Sequence, residues 1–120
     1  MGADERTFEQ IEGDVKQFCE ERNWDQFHDA KELSVALSTE VSELVELFPY
    51  KTGGEIEEVV AERREDFENE IADVLFLVAR MTQIYDVDVG EAFDRKLEKT
   101  AENYPVEDAK GKNQKYTEYR

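Results

Sequence analysis

Between Leu33 and Leu47 the apolar residues fall at Leu33, Leu37, Leu44 and Leu47, the alternating four- and three-residue interval of a helix that faces a core. The same interval demands an apolar side chain at position 40, and the chain places Glu40 there, with Glu43 bordering the stripe one turn on. The rest of the chain reads as further helices. Phe8, Ile11, Val15, Phe18 and Cys19 recur at helical spacing and predict a first helix over about residues 5–22. The segment NWDQFHDAKE interrupts the pattern and reads as a loop, with Asp29 as the N-cap of a second helix over about 30–48. PYKTGGE then stops that helix.

Helical periodicity resumes at Ile56 and runs through Val59, Val60, Phe67, Ile71, Val74, Leu75 and Val78 to about Tyr85, as one long helix or as a short one feeding a long one. Asp88 is the expected cap of a last helix over about 89–103, which Tyr104-Pro105 terminates. No stretch alternates with period two for the length of a strand. The expected fold class is all-α, a four- to five-helix bundle over residues 1–105 followed by a polar, extended C-terminal tail over 106–120.

The second oddity lies in ENEIADVLFLVA, where Asp73 is embedded in Ile71, Ala72, Val74, Leu75, Phe76, Leu77 and Val78. A helix apolar all round is buried on all sides, so Asp73 is expected to be shut off from bulk water. Glu70 precedes it by one turn on the same face. Two helices thus each present a carboxylate pair three residues apart, Glu40 with Glu43 and Glu70 with Asp73. Buried, unpaired carboxylates cost several kcal/mol each and repel one another when clustered. A divalent cation resolves both problems. Mg²⁺, with its preference for hard oxygen donors and its retained waters, suits carboxylates on facing helices together with substrate phosphates, and Mn²⁺ is a possible substitute. Glu55 with Glu58 and Glu62 with Glu65 share the spacing but sit off the apolar stripe, and read as solvated surface. A di-iron or di-manganese carboxylate bundle would call for Glu-x-x-His pairs, and His28 has no glutamate three residues before it.

Composition narrows the field. In 120 residues there are 31 acidic and 15 basic side chains, a net charge of −16, which disfavours nucleic acid as a partner because phosphate backbones require cations. The excess lies in residues 1–105, at −17, while residues 106–120 are net +1. Apolar and charged residues are almost balanced at 39% and 38%, so the core is expected to be thin or shared with a second subunit. The single cysteine, Cys19, excludes an intrachain disulfide and fits a reducing cytoplasm; it reads as a small buried residue of the first helix. MGADERTFEQ lacks the apolar core of a secretion signal, and the apolar run from Val74 to Ala79 falls far short of the about 20 residues of a membrane span. A soluble cytoplasmic protein is the expectation.

Together these segments resemble the MazG-like all-α nucleotide pyrophosphohydrolases, most closely the dCTP pyrophosphatase branch. NWDQFHDAKELSVALSTEVSELVELF is similar to that branch's W-x-Q-F-H segment followed by its E-x-x-E helix, NEIADVLFLVARM to its E-x-x-D helix, VDVGEAFDRKLEKTAENYP to its last core helix, and KYTE to a tail segment. The resemblance spans roughly residues 5–119. It implies Mg²⁺-dependent hydrolysis of a nucleoside triphosphate, with dCTP or a modified deoxynucleotide as candidates, to the monophosphate and pyrophosphate by a homodimer or homotetramer. Glu40, Glu43, Glu70 and Asp73 would then take the metal roles, with Glu40 or Glu43 as general base. Trp24 and His28 would line the base or sugar pocket and Lys96 would face the phosphates, with Lys99 beside it in an otherwise acidic chain. Three pocket positions depart from the branch: Tyr50 stands where a tryptophan is common, Leu77 where a tyrosine is common, and Thr100 where an asparagine is expected. These departures keep a second reading open, a non-catalytic helical module that binds nucleotide or divalent ion in a regulatory role.

Overall fold

The computed structural model describes residues 5–119. Six α-helices and two short 3₁₀ turns make up the regular structure, with no strand among the described residues. The chain divides into two compact units, residues up to Asp86 and from Val87 onward.

In the first unit, α1 (Phe8–Glu21) starts at Thr7 through a reciprocal capping box: the Gln10 N–H donates to Thr7 Oγ1 at 3.1 Å, and the Thr7 N–H to Gln10 Oε1 at 2.9 Å. A 3₁₀ turn, Asp25–Phe27, leads to α2 (Ala30–Val45), whose N-cap is Asp29, accepting from the Glu32 N–H at 2.8 Å. The helix is shorter than the pattern suggests. Beyond Val45 the backbone tightens, the Leu47 N–H reaching the Leu44 carbonyl, so Leu47 still closes over the core although it lies outside α2.

Of the two possibilities for residues 56–85, the short helix feeding the long one is observed. α3 (Gly54–Glu62) and α4 (Arg64–Ile84) are separated at Arg63, whose extended-side torsions (φ −112°, ψ 41°) break the helical path. Its N–H still bonds Val59 and its carbonyl accepts from Phe67, so the break leaves no unpaired backbone there. Helix α4 is the spine of this unit: α1, α2 and α3 each pack on it. Val15 and Cys19 of α1 meet Ala79 of α4, flanked by Phe8, Ile11 and Phe76. Leu33, Leu47 and Val59 are buried as well, and Phe48 and Phe67 meet edge to face.

Few side chains are fully buried, and the surroundings of Asp73 correct the sequence reading. Three helices do not encircle α4. Ile71 is 44% exposed, Leu75 is 37% exposed, and Asp73 between them is open to water. Val41 and Val45 on α2 are exposed in the same way. The all-round apolar character of α4 is therefore not used up by α1, α2 and α3.

The second unit holds α5 (Val89–Asn103), capped by Asp88, which accepts from the Glu91 N–H at 3.0 Å, and α6 (Val106–Ala109). The expected extended tail is structured. After α6, the turn Tyr116–Glu118 lets the rings of Tyr116 and Tyr119 pack edge-on against Tyr104 at 5.5 and 5.9 Å. Aromatic pairing recovers order in a stretch whose polar composition hides it.

Leu33 is 1% exposed at the α2–α4 contact. Leu33→Ala is expected to cost about 2–5 kcal/mol, read as a lowered urea midpoint in equilibrium unfolding with an unchanged slope.

Candidate active site

The stripe position of Glu40 carries through to three dimensions. Leu33 and Leu47 are buried, Leu37 and Leu44 half-buried, and Glu40 shares their face, half-buried itself. Glu43 lies one turn on and is exposed. Glu70, on α4, is half-buried. Carboxylate oxygens of Glu40, Glu43 and Glu70 lie within 4.8 Å of one another, a spacing that one ion can bridge. Glu40 Oε2 and Glu70 Oε2 are each sealed from solvent without a hydrogen-bond partner. Asp73, a turn beyond Glu70, adds its field from the exposed side.

No lysine or arginine ion pair reaches any of these four groups among the described residues. The electrostatic consequence is uniform in sign. Burial pushes the Glu40 carboxyl above its ordinary range, helped by its hydrogen-bonding contact with Glu43 and by the charges of Glu43, Asp73 and Glu70. Glu70 is raised by burial first, and then by Glu43, Asp73 and Asp66. Acceptors without donors and like charges without counter-charge are conditions that a bound cation would relieve. Hard oxygen donors alone, with no sulfur or imidazole among them, fit a hard divalent ion such as Mg²⁺.

Beside the cluster opens a cleft of about 680 Å³. Glu40 and Asp73 form its acidic wall, and Phe18, Trp24, Phe76 and Leu77 its apolar one. Phe18 stands at the centre of the apolar wall, edge-on to Trp24 at 5.6 Å and to Phe76 at 5.8 Å. A flat apolar group with a polyanion attached could thus lie with its ring by the aromatics and its charge by the cation site.

The sequence-derived candidates fall into three groups. Glu40, Glu43, Glu70, Asp73 and Trp24 converge on the cluster and the cleft, as does Leu77. His28 stands one layer back: its ring meets Trp24 at 6.2 Å, and its Nδ1 accepts from Arg80 Nε at 2.9 Å. Tyr50 is 100% exposed, in a left-handed backbone conformation (φ 63°), and does not line the cleft. Lys96 and Lys99 are exposed and Thr100 half-buried on α5, in the second unit.

Phe18 and Phe76 of the cleft wall escaped the sequence reading of the site, as did Asp14 and Arg80. Asp14 of α1 lines the cleft and pairs with Arg6. Arg80 is buried inside α4, and the rule that exposed Glu40, a charge on an apolar stripe, would have found it too.

A solved pyrophosphatase from Archaeoglobus fulgidus superposes with a TM-score of 0.77 at 33% identity, covering 84% of this chain and 94% of that one. Fold and site thus define an all-α pyrophosphohydrolase, a hydrolase acting on acid anhydrides. Human dCTP pyrophosphatase 1 is 35% identical over 116 residues, 95% of this chain and 68% of that protein, and the rat protein of the same name is 34% identical over the same length. The MazG-like family model matches residues 35–119, and the chain belongs to the MazG-like family. Its activity is that of a nucleoside triphosphate pyrophosphohydrolase.

Because Glu40 is held among like charges with one oxygen unsatisfied, Glu40→Gln is expected to raise the metal-free melting temperature by a few degrees. A millimolar divalent cation should raise the wild-type melting temperature, and the same substitution should remove most of that rise. Differential scanning fluorimetry at constant ionic strength reads both effects.

Proposed function

We propose that this protein hydrolyses dCTP or a closely related deoxynucleoside triphosphate to the monophosphate and pyrophosphate, with Mg²⁺ as its ion and Mn²⁺ as a working substitute. The observation that carries the reading is the meeting of Glu40, Glu43 and Glu70 with two buried, unpartnered oxygens among them. The dCTP assignment draws on the relatives, which are dCTP pyrophosphatases, and on the aromatic cleft wall of Phe18, Trp24 and Phe76.

Glu40, Glu43, Glu70 and Asp73 would hold the ion. Bound there, it would neutralise phosphate oxygens and make water more acidic. The protein's own groups account for the remaining work. Trp24 and Phe18 offer faces and edges to the nucleobase and exclude water from one side of the cleft. Glu40 or Glu43, which are in hydrogen-bonding contact, would accept the proton of the attacking water. Attack at the α-phosphorus breaks the α–β anhydride bond and releases pyrophosphate. No serine or cysteine lines the cleft, so a direct displacement by water is the step this wall supports. Leu77 puts an aliphatic side chain in the cleft, which favours tolerance of base substituents over a hydrogen bond to them.

The open apolar positions Val41, Val45, Ile71 and Leu75 support assembly as a homodimer or homotetramer, which would complete the helix packing around α4. The chain has no helix long and apolar enough to cross a membrane among its described residues, which accords with action in the cytoplasm.

A panel of deoxynucleoside triphosphates with Mg²⁺, assayed for phosphate after added inorganic pyrophosphatase, should give equal amounts of monophosphate and pyrophosphate, with dCTP and its 5-substituted forms at the top. Glu40→Gln and Asp73→Asn should each lower turnover by about 10²-fold or more while circular dichroism keeps the helical signal. Near-normal turnover in both variants would reject the site, and binding without any cleavage in the wild type would turn the reading to a regulatory module.

A further inference from the structure

Arg80 is the most deeply buried charged side chain of the described residues, 2% exposed in the middle of α4. An isolated guanidinium in such a place is strongly unfavourable, so its partners explain its presence. Nε donates to His28 Nδ1 at 2.9 Å, Nη1 to Gln83 Oε1 at 2.6 Å, and Nη2 pairs with Asp25 Oδ1. Gln83 is a neighbour on the same helix. Asp25 and His28 are more than fifty positions away in sequence and bracket the 3₁₀ turn that precedes α2. One guanidinium thus ties both ends of that turn to the spine of the unit.

Trp24 is the residue on which the turn begins, and it forms part of the cleft wall. Its indole is wedged edge-on between Phe18 and His28. The bond from Arg80 also fixes the chemistry of the imidazole. An arginine cannot give up its proton here, so Nδ1 must be the acceptor and the neutral ring carries its hydrogen on Nε2.

We infer that Arg80 is a positioning residue for nucleobase recognition: it seats Trp24 in the cleft wall and holds His28 as an Nε2–H donor, while leaving the carboxylate chemistry alone. The inference rests on the reading that Trp24 meets the substrate, with His28 behind it. The surroundings of the ring agree with it. Burial, and then the Arg80 charge, push the His28 pKa below its ordinary value against the opposing pull of Asp25, so the imidazole is neutral at pH 7.

The chain has a single tryptophan and a single histidine, and both are at this place. Trp24 fluorescence and the one imidazole resonance in the proton NMR spectrum therefore report on it without labelling. In the 120-residue protein with Mg²⁺, Arg80→Met is expected to raise the His28 titration midpoint and to shift Trp24 emission to the red. It should weaken the quenching of Trp24 by a non-hydrolysable α,β-imido analogue of dCTP. KM for dCTP should rise about tenfold or more with kcat within about threefold, the pattern of a misplaced binding group. Asp25→Asn removes an exposed partner of the same tie and carries the test if Arg80→Met does not fold; its KM and quenching should change in the same direction by less.

A folded Arg80→Met, or failing that Asp25→Asn, with wild-type KM, base preference and quenching would overturn the inference while leaving the pocket reading in place. A wild type whose Trp24 and His28 signals both ignore the analogue, although turnover is normal, would overturn the pocket reading and the inference together. A fall in kcat that simply tracks the folded fraction, with KM unchanged, would reduce Arg80 to a stability role and overturn the inference as well.

Discussion

Repulsion among carboxylates at the contact of α2 and α4 is the constraint around which this protein is arranged. Leucines at the stripe would have made a firmer contact; Glu40 instead faces Glu70 with neither lysine nor arginine to offset them. The fold bears that weakness because α4 is anchored elsewhere, through Cys19 and Val15 to Ala79 and through Leu33 and Leu47. Stability and the proposed chemistry are thereby divided along α2 and α4: the packed turns hold the helices together, and the charged turns gather the carboxylates. A cation bound there would replace mutual repulsion by shared attraction and so act as a structural partner as well.

The cleft follows from the same division. Where α1 leans on α4, aromatic side chains that a fuller core would have swallowed remain partly open, Phe18 and Trp24 among them. They adjoin Glu40 and Asp73, so an apolar surface and a carboxylate wall share one opening. A nucleotide has this dual character, a flat base at one end and a polyphosphate at the other, and the likeness to dCTP pyrophosphatases over 95% of the chain agrees with it.

Much of this was legible in the residues, and the reason is physical. Caps and breakers act locally, so Asp29, Asp88 and Tyr104-Pro105 mark helix ends that the structure reproduces, and α5 occupies residues 89–103 as its periodicity indicates. Glu40 was visible because a charge on an apolar stripe contradicts its neighbours. What escaped depends on partners distant in sequence. Nothing near Arg80 announces Asp25 or His28, and nothing in the polar run after Pro105 announces that Tyr116 and Tyr119 will find Tyr104. Asp73 was read as enclosed because periodicity reports that a helix is apolar all round, but cannot report how many neighbours a single chain supplies to cover it.

Cys19, completely enclosed between α1 and α4, has one more consequence. Burial lifts its thiol pKa, and the nearby Arg80 charge pulls against that rise without reversing it, so the sulfur stays protonated and sluggish toward electrophiles. Alkylation then has to await a moment when α1 swings away from α4. The rate at which a thiol reagent marks this one atom becomes a clock for the breathing of the very helix pair that carries the aromatic wall.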